Sequence, residues 1–432
     1  MSPVRTVVGL AGLRALRHRN FRLFWSGQLI SLVGTWMQSV AQAWLVLTMT
    51  NDPFMLGVVA AAQFLPVMVF GLFGGIVADS LPKRRTLIAT QSSAMSLAFI
   101  LAALTATGTV QVWEIIVLAF LLGCTNAVDM PTRQSFVFEM VGREDIGNAV
   151  ALNSAIFNAA RIVGPAVAGL TIGLFDISIA FFINGLSFIA VLASLLSMRP
   201  ADLHPAKPMI MPKTVRAVVA NLGEGLGYVR RTQIVLLAVS VVGLVSLVGM
   251  NFTIVIPALA RDVLGSDAAG YGFLMAASGV GSLTAALSIA FLGRPSERML
   301  IGGALVLGVL EVALAYSRSM PLSLLCMFGI GAGGIAMAMT ANTSIQLSVP
   351  DGLRGRVMAV YTTVFAGSTP IGGLLFGALA GAFGAATAVL LGGVAAIVIA
   401  LVAGVFAWRW GLLGSRAAEM QAAAATSSPA PS

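Results

Sequence analysis

Residues 54–85, FMLGVVAAAQFLPVMVFGLFGGIVADSLPKRR, decide the fold class. Residues 54–78 hold no charged side chain, and the basic cluster Lys83, Arg84 and Arg85 follows closely. A helix rises about 1.5 Å per residue, so about 20 apolar residues cross the roughly 30 Å of hydrocarbon in a bilayer. The segment therefore predicts a transmembrane helix that ends at a positively charged loop.

The composition of the whole chain indicates an integral membrane protein. Of its 432 residues, 58% are apolar and 9% are charged, against roughly a quarter charged in a soluble domain. The net charge of +9 comes without a soluble basic and aromatic domain, which argues against nucleic acid as a partner. Cys124 and Cys326 both lie in apolar runs and predict neither a metal site nor a disulfide.

Twelve apolar runs are predicted to span the membrane, six before and six after a polar segment. They are residues 21–49, 54–78, 86–107, 113–131, 148–174 and 178–198, then 233–259, 270–292, 299–316, 320–342, 356–381 and 386–410. The predicted domains are an N-terminal segment 1–20, a six-helix bundle 21–198, a linker 199–232, a six-helix bundle 233–410 and a disordered tail 411–432. The fold class is thus an all-α membrane protein.

The distribution of basic residues predicts the orientation. Of the 25 Lys and Arg residues, 22 fall in alternate segments that include both termini and the linker. Short cytoplasmic loops carry such an excess, so both termini are predicted to be cytoplasmic. The first twenty residues lack a cleavage site and predict no removable signal peptide.

The two halves are similar to each other. A shift of 208 residues places Gly164 and Gly169 on Gly372 and Gly377. Two six-helix repeats joined by a basic linker are the layout of a transporter that rocks around a site between the repeats.

The loop after the second span resembles the major facilitator superfamily. The family signature is a glycine, an aspartate four residues on, and a basic cluster, and in the family this loop latches the two halves. The resemblance implies a conformational latch that comprises Gly75, Asp79, Lys83, Arg84 and Arg85, together with Asp129 and Arg133. The basic residues also anchor the loop inside, and Pro82 replaces the usual glycine.

The fifth span is similar to the antiporter motif of the same superfamily. Gly164-Pro165 is followed by Gly169, and in the superfamily this pattern marks exporters. Earlier glycines of the motif are replaced by Ala151 and Ala160, so a generic kinked packing helix stays open. Residues 20–25 (NFRLFW), 34–36 (GTW) and 129–134 (DMPTRQ) resemble the enterobactin exporter-like and multidrug efflux branch.

Asp129 and Arg133 are four residues apart, so they can face the same side of a helix. In the family an acidic residue here pairs with the basic cluster of the preceding inner loop. The resemblance therefore implies a gate between Asp129 and Arg84 or Lys83. A pair that only fixes structure stays an equal alternative.

Polar side chains within the spans predict a substrate cavity. Arg161 is the one basic residue deep in a span, and such residues usually face a cavity or an acidic partner. The predicted lining residues are Gln28, Thr35, Gln38, Gln42, Asn126, Asn158 and Arg161. Uncharged polar groups also join membrane helices, and Arg161 could form a buried structural pair.

Proton coupling requires a carboxylate whose pKa can be moved by burial. The candidates are Asp79, Asp129 and Glu311, and the sequence does not choose among them.

The resemblance implies a proton-driven exporter of small amphipathic or lipophilic molecules, of the multidrug type, in the bacterial inner membrane. It implies no enzyme activity, no cofactor besides the proton gradient, and a monomer. A specific metabolite such as a siderophore, or a lipid, is the alternative cargo on the same fold.

Overall fold

The computed structural model describes residues 13–204, 215–292 and 296–413. The side chains of residues 71–80, 215–219 and 292 lie outside the description. Helices account for nearly all of the described chain, because backbone groups in lipid must be satisfied within the segment itself. The α-helices are α1 (Arg19–Thr50), α2 (Pro53–Ser80), α3 (Lys83–Ala106), α4 (Val112–Leu174), α5 (Ile177–Leu196), α6 (Val215–Arg231), α7 (Gln233–Gly249), α8 (Phe252–Ala258), α9 (Ala268–Leu292), α10 (Glu297–Tyr316), α11 (Met320–Ser348), α12 (Asp351–Phe383) and α13 (Ala385–Arg409).

Helix α4 contains two of the predicted spans. Its 63 residues would extend about 95 Å, roughly three times the hydrocarbon thickness. Gly142 breaks the helical path with φ 70° and ψ −172°, a conformation that favours glycine. Eleven helical segments of the described chain are long and apolar enough to cross a membrane. With α4 crossing twice, the twelve predicted transmembrane helices are confirmed.

The seventh span is interrupted, which its sequence did not indicate. Helix α7 ends at Gly249, and Met250 leaves the helical region with φ −111° and ψ 30°. Asn251 returns its side-chain amide to the carbonyl oxygen of Leu247 at 2.8 Å. This bond satisfies a carbonyl that the break would otherwise leave free. Helix α8 then leads into a π-helical turn, Leu259–Val263.

The predicted linker contains a helix, α6, that packs on its neighbours. Glu224 of α6 forms an ion pair with Arg356 of α12, and the Tyr228 hydroxyl donates to the carbonyl oxygen of Ser348 at 3.1 Å. A methyl group at Gly225 would lie 2.5 Å from the carbonyl oxygen of Arg356. Because Gly225 has no side chain, this part of the linker can lie directly on α12.

The chain forms two compact units. The first comprises Met1–Thr214, Phe252–Gly279 and Gly373–Ala385, and the second comprises Val215–Asn251, Val280–Gly372 and Ala386–Ser432. Helices α9 and α12 each contribute to both units.

In the first unit, α1, α3, α4 and α5 meet around an aromatic core. Phe24 of α1 and Phe136 of α4 are buried and make an edge contact with ring centroids 6.2 Å apart. A methyl group at Gly27 would lie 2.9 Å from the carbonyl oxygen of Ala190. This packing brings the ends of α1, α3, α4 and α5 close together, so that polar side chains at those ends can bond to one another.

In the second unit, α10 and α11 cross at a pair of glycines. A methyl group at Gly303 would lie 2.7 Å from the carbonyl oxygen of Gly333, and one at Gly333 would lie 2.6 Å from that of Gly303. Small residues allow this approach between membrane helices, where packing must replace the hydrophobic effect.

We expect Gly303→Ala to destabilise the protein, because its methyl group would strike backbone. Overpacking of this kind costs roughly 1 to 3 kcal/mol. Gly302→Ala is the matched control, since a methyl group there meets nothing within 4 Å and alanine favours the helix by up to about 1 kcal/mol. Thermal unfolding in detergent measures both. Equal melting temperatures for the two variants would contradict the crossing.

Candidate transport site

The buried carboxylate of Asp129 is the centre of a charge network on α4. Its Oδ1 accepts hydrogen bonds from the Thr90 hydroxyl at 2.7 Å and the Gln91 amide at 2.8 Å, both on α3. Its Oδ2 pairs with Arg133, one turn further along α4. Three side chains therefore donate to a carboxylate that is 2% exposed.

Arg133 extends this network to α1. Its Nη1 donates to Gln28 Oε1 at 2.6 Å, so one ion pair joins α1, α3 and α4. Gln28, which the sequence predicts in the cavity lining, is itself buried and acts here as an acceptor between helices.

The basic loop uses different partners from those implied by the family resemblance. Lys83 lies 2.6 Å from Glu139 Oε1, and Arg84 donates to the carbonyl oxygens of Leu195 and Leu196 at 2.7 and 2.9 Å. The expected pair between Asp129 and Lys83 or Arg84 is therefore not observed. Arg133 occupies the carboxylate instead, because it lies one helical turn away on the same helix.

The remaining members of the predicted latch are Arg85, Gly75 and Asp79. Arg85 is exposed. Gly75 and Asp79 lie on α2, but their side chains are outside the described residues. The latch function of this loop stays a prediction.

Sequence reasoning missed a second charge cluster beside the break in α4. Asp145 lies 3.1 Å from Arg14 Nε and 2.9 Å from His18 Nε2. The hydrogen bond with His18, followed by the positive charge of Arg14, holds the pKa of the Asp145 carboxyl below its ordinary value. The amino-terminal turn is thereby tied to the segment after Gly142.

Two further hydrogen bonds join the start of α1 to the segment that follows α5. The side-chain amide of Asn20 donates to the carbonyl oxygen of Arg199 at 2.9 Å, and the backbone N–H of Arg199 donates to Asn20 Oδ1 at 3.0 Å. The residues are 179 positions apart, so neither spacing nor charge in the sequence could indicate the contact.

The Gly-Pro segment of α4 packs tightly on two sides within the first unit. A methyl group at Gly164 would lie 2.8 Å from the carbonyl oxygen of Val33 on α1, and one at Gly169 would lie 2.8 Å from Ala269 Cα on α9. The Pro165 carbonyl oxygen contacts Gly272. These glycines therefore remove the side-chain volume that would separate α4 from α1 and from the first part of α9.

The predicted lining residues occupy different environments. Gln38 is buried and accepts a hydrogen bond from Asn184 of α5 at 2.5 Å, while Thr35 and Asn158 bond to carbonyl oxygens of their own helices. Gln42 is buried and Asn126 is partly exposed. Gln38 therefore joins two helices, and the lining function of the set stays a prediction.

Arg161 lies midway along the predicted span 148–174 and is partly exposed. Within the part of the chain that the structure describes, no hydrogen bond or ion pair engages its guanidinium group. In this respect it differs from Arg133 of the predicted latch, which pairs with Asp129.

In the second unit, Glu311 is a buried acidic residue with one carboxylate oxygen that lacks a partner among the described residues. The side chain lies on α10 and is 4% exposed, and its Oε2 has no hydrogen-bond partner among the described residues. The carboxylate faces Gly249 at the break after α7, where a methyl group would lie 3.3 Å from Oε2. Helix α13 approaches from another side, through Gly393.

The described residues contain no group of three or more His, Cys, Asp or Glu side chains that could hold a metal ion.

We expect Asp129→Ala to destabilise the protein by about 3 to 5 kcal/mol, because it leaves Arg133 without its counter-charge. Removing both charges in Asp129→Ala/Arg133→Ala is expected to cost less than the sum of the single changes. Asp351→Ala is the control, since it removes an exposed pair with Arg354 that is worth roughly 0 to 1 kcal/mol. Thermal unfolding in detergent measures the stability of all these variants. A loss of stability in the double variant that equals the sum of the two single losses would contradict the network.

Comparison with known proteins agrees with this architecture. The profile of the family described as "Transmembrane secretion effector" matches residues 10–429. The Staphyloferrin A transporter of Staphylococcus aureus is 25% identical over 88% of this chain and 94% of its own. The multidrug efflux pump Tap of Mycolicibacterium fortuitum is 30% identical over 81% of this chain and 87% of its own.

A solved structure shares the fold. The nucleoside transporter NupG superimposes with a TM-score of 0.71 at 13% sequence identity, over 90% of this chain and 98% of its own. The chain therefore has the major facilitator fold, as predicted, and it belongs to the transmembrane secretion effector family of multi-pass membrane transporters.

Proposed function

We propose that the protein exports small amphipathic or lipophilic molecules by proton antiport, through alternating access. The observation that carries the direction is the exporter-type pattern of Gly164, Pro165 and Gly169, which packs tightly on α1 and α9. The efflux function in the name of the Tap pump supports the same direction.

The cargo class follows from the scarcity of charge. Only 9% of the residues are charged, and Asp129 and Arg133 form an ion pair with each other. Apolar surfaces with few fixed polar groups suit an amphipathic molecule better than a sugar. A siderophore is the second candidate, because the Staphylococcus aureus relative is a staphyloferrin A transporter. A lipid is a third.

Glu311 is the proton carrier that the geometry favours. Asp129 has donors from three side chains, so a proton there would disrupt an ion pair that joins three helices. The Asp79 side chain lies outside the described residues. Glu311 is buried, and its Oε2 has no donor, so ionisation requires either water or a cation to reach it.

The surroundings of Glu311 contain no competing charge. Helices α7 and α11 carry no Asp, Glu, Lys or Arg, and on α13 only Arg409 is charged. Arg409 lies 16 residues from Gly393, about 24 Å along the helix. A conformational step that opens the Gly249 contact to water would therefore change the protonation of Glu311 directly.

We further propose that the protein works as a monomer in the bacterial plasma membrane, with both termini in the cytoplasm. The excess of Lys and Arg in alternate segments supports this orientation. The proton gradient supplies the energy, with no bound cofactor and no nucleic acid partner.

Transport into inside-out vesicles tests the proposal. The probes are ethidium, a cationic amphipath, and fluorescein sulfonate, an anionic one. An acidic-inside pH gradient is expected to drive accumulation of at least one dye beyond the level in vesicles without the protein. Dye transport that does not depend on the pH gradient would contradict proton antiport. If neither dye is transported, siderophores and lipids become the favoured cargoes.

Glu311→Gln is expected to lower gradient-driven accumulation at least tenfold while leaving downhill transport in place, because a proton can no longer leave the side chain. The control is Glu297→Gln, which makes the same change in the first turn of the same helix. The dye assay above measures both variants. Gradient-driven accumulation that survives in Glu311→Gln would exclude Glu311 as the carrier.

A further inference from the structure

The guanidinium group of Arg161 has an open coordination shell in the middle of a membrane span. Within the described residues it has neither an ion pair nor a hydrogen bond, although a guanidinium group carries five N–H donors. The residue is partly exposed, and none of its nitrogen atoms is among the fully buried polar atoms that lack a partner, so these donors are accessible from at least one side. A cation at this depth is costly unless an anion or water compensates it.

The protein does not supply that anion from the neighbouring helices. Helices α1, α3, α5 and α9 carry no Asp or Glu, and the acidic residue of α2 is Asp79 at its end. On α4 itself, Asp129, Glu139 and Asp145 are held by Arg133, Lys83 and Arg14, respectively. The exposed Glu144 lies 17 residues before Arg161, about 26 Å along the helix. Glu114 lies in the first turn of α4 and accepts from the backbone N–H of Gln111.

Aromatic surface lies next to the free guanidinium group. Phe157 is one helical turn before Arg161, so the two side chains share a face of α4. The Phe157 side chain is 47% exposed and makes an edge contact with Trp36 of α1, with ring centroids 5.7 Å apart. Arg161 thus shares a helix face with the exposed Phe157, which in turn contacts the partly exposed Trp36.

We propose that Arg161 binds the anionic group of the cargo, and that the cargo is an amphipathic organic anion whose apolar body lies on Phe157 and Trp36. This inference rests on the proposed function, since it names the substrate class of the same transporter. A carboxylate matches the planar fork of a guanidinium group and can accept two of its hydrogen bonds. The anion completes the charge balance that the protein leaves open.

A matched pair of fluorescent probes tests the inference without any gradient. 1-Pyrenebutyrate carries a carboxylate, and 1-pyrenebutyramide has the same shape without charge. The full-length protein in detergent is expected to bind the carboxylate at least tenfold more tightly, as measured by fluorescence anisotropy. Arg161→Gln is expected to abolish the difference, and Arg161→Lys is expected to retain part of it.

The control is Arg143→Gln, which removes an exposed arginine from the same helix and is expected to keep the tenfold preference. Thermal unfolding of each variant shows whether it is folded. Equal binding of the two probes to the unaltered protein, or a preference that survives in Arg161→Gln, would overturn the inference. Either outcome leaves gradient-driven export of other amphipaths untouched, so the two proposals fail separately.

Anionic lipid is a second source of the same chemistry. The binding assay is therefore repeated with phosphatidylglycerol added to the detergent micelles. A preference for 1-pyrenebutyrate that persists supports an anionic cargo. A preference that disappears would assign the Arg161 site to a lipid phosphate and overturn the cargo assignment.

Discussion

The bilayer interior offers neither hydrogen bonds nor strong screening, and the rest of the structure follows from that constraint. Backbone groups must bond within helices, so the described chain is helical almost throughout. Helices gain little from hydrophobic association in lipid, so they meet at glycines such as Gly303 and Gly333. A charge inside a span requires a partner, and Asp129 has Arg133, Thr90 and Gln91 around it.

Two residues, Arg161 and Glu311, depart from the rule that a charge within a span has a partner. Both Arg161 of the first unit and Glu311 of the second lie within spans. Among the residues that the structure describes, the guanidinium group of Arg161 has no partner and neither has Oε2 of Glu311. A charged or titratable group that the fold leaves uncompensated is maintained at a cost in stability, which function can offset. In the antiport that we propose, Arg161 binds the anionic cargo and Glu311 carries the proton.

Hydropathy and charge placement predicted the fold, because lipid acts on each span independently of the others. The pair of Asp129 with Arg133 was also within reach of the sequence, since it lies on a single helix turn. The partners of Lys83 and Asp145 were not, because Glu139 and His18 become neighbours only after distant helices pack. The break at Met250 lies in an apolar run with no charge to reveal it, and the helix Val215–Arg231 lies in a segment whose prolines and charges favoured a linker. Asp129 and Glu311 are both buried, and what separates them as proposed proton carriers is that three side chains donate to Asp129 while Glu311 Oε2 has no donor among the described residues. Those partners are set by the packing of the helices and cannot be read from the sequence.

The central claim is an exchange of cargo for protons, and the proton movement itself tests it most directly. The protein is reconstituted in proteoliposomes that trap a pH-sensitive dye and have an acidic interior, and a transported cargo is added outside. The account predicts that the internal pH rises with cargo uptake, at a rate that depends on cargo concentration. Cargo uptake with no accompanying change in internal pH would contradict it.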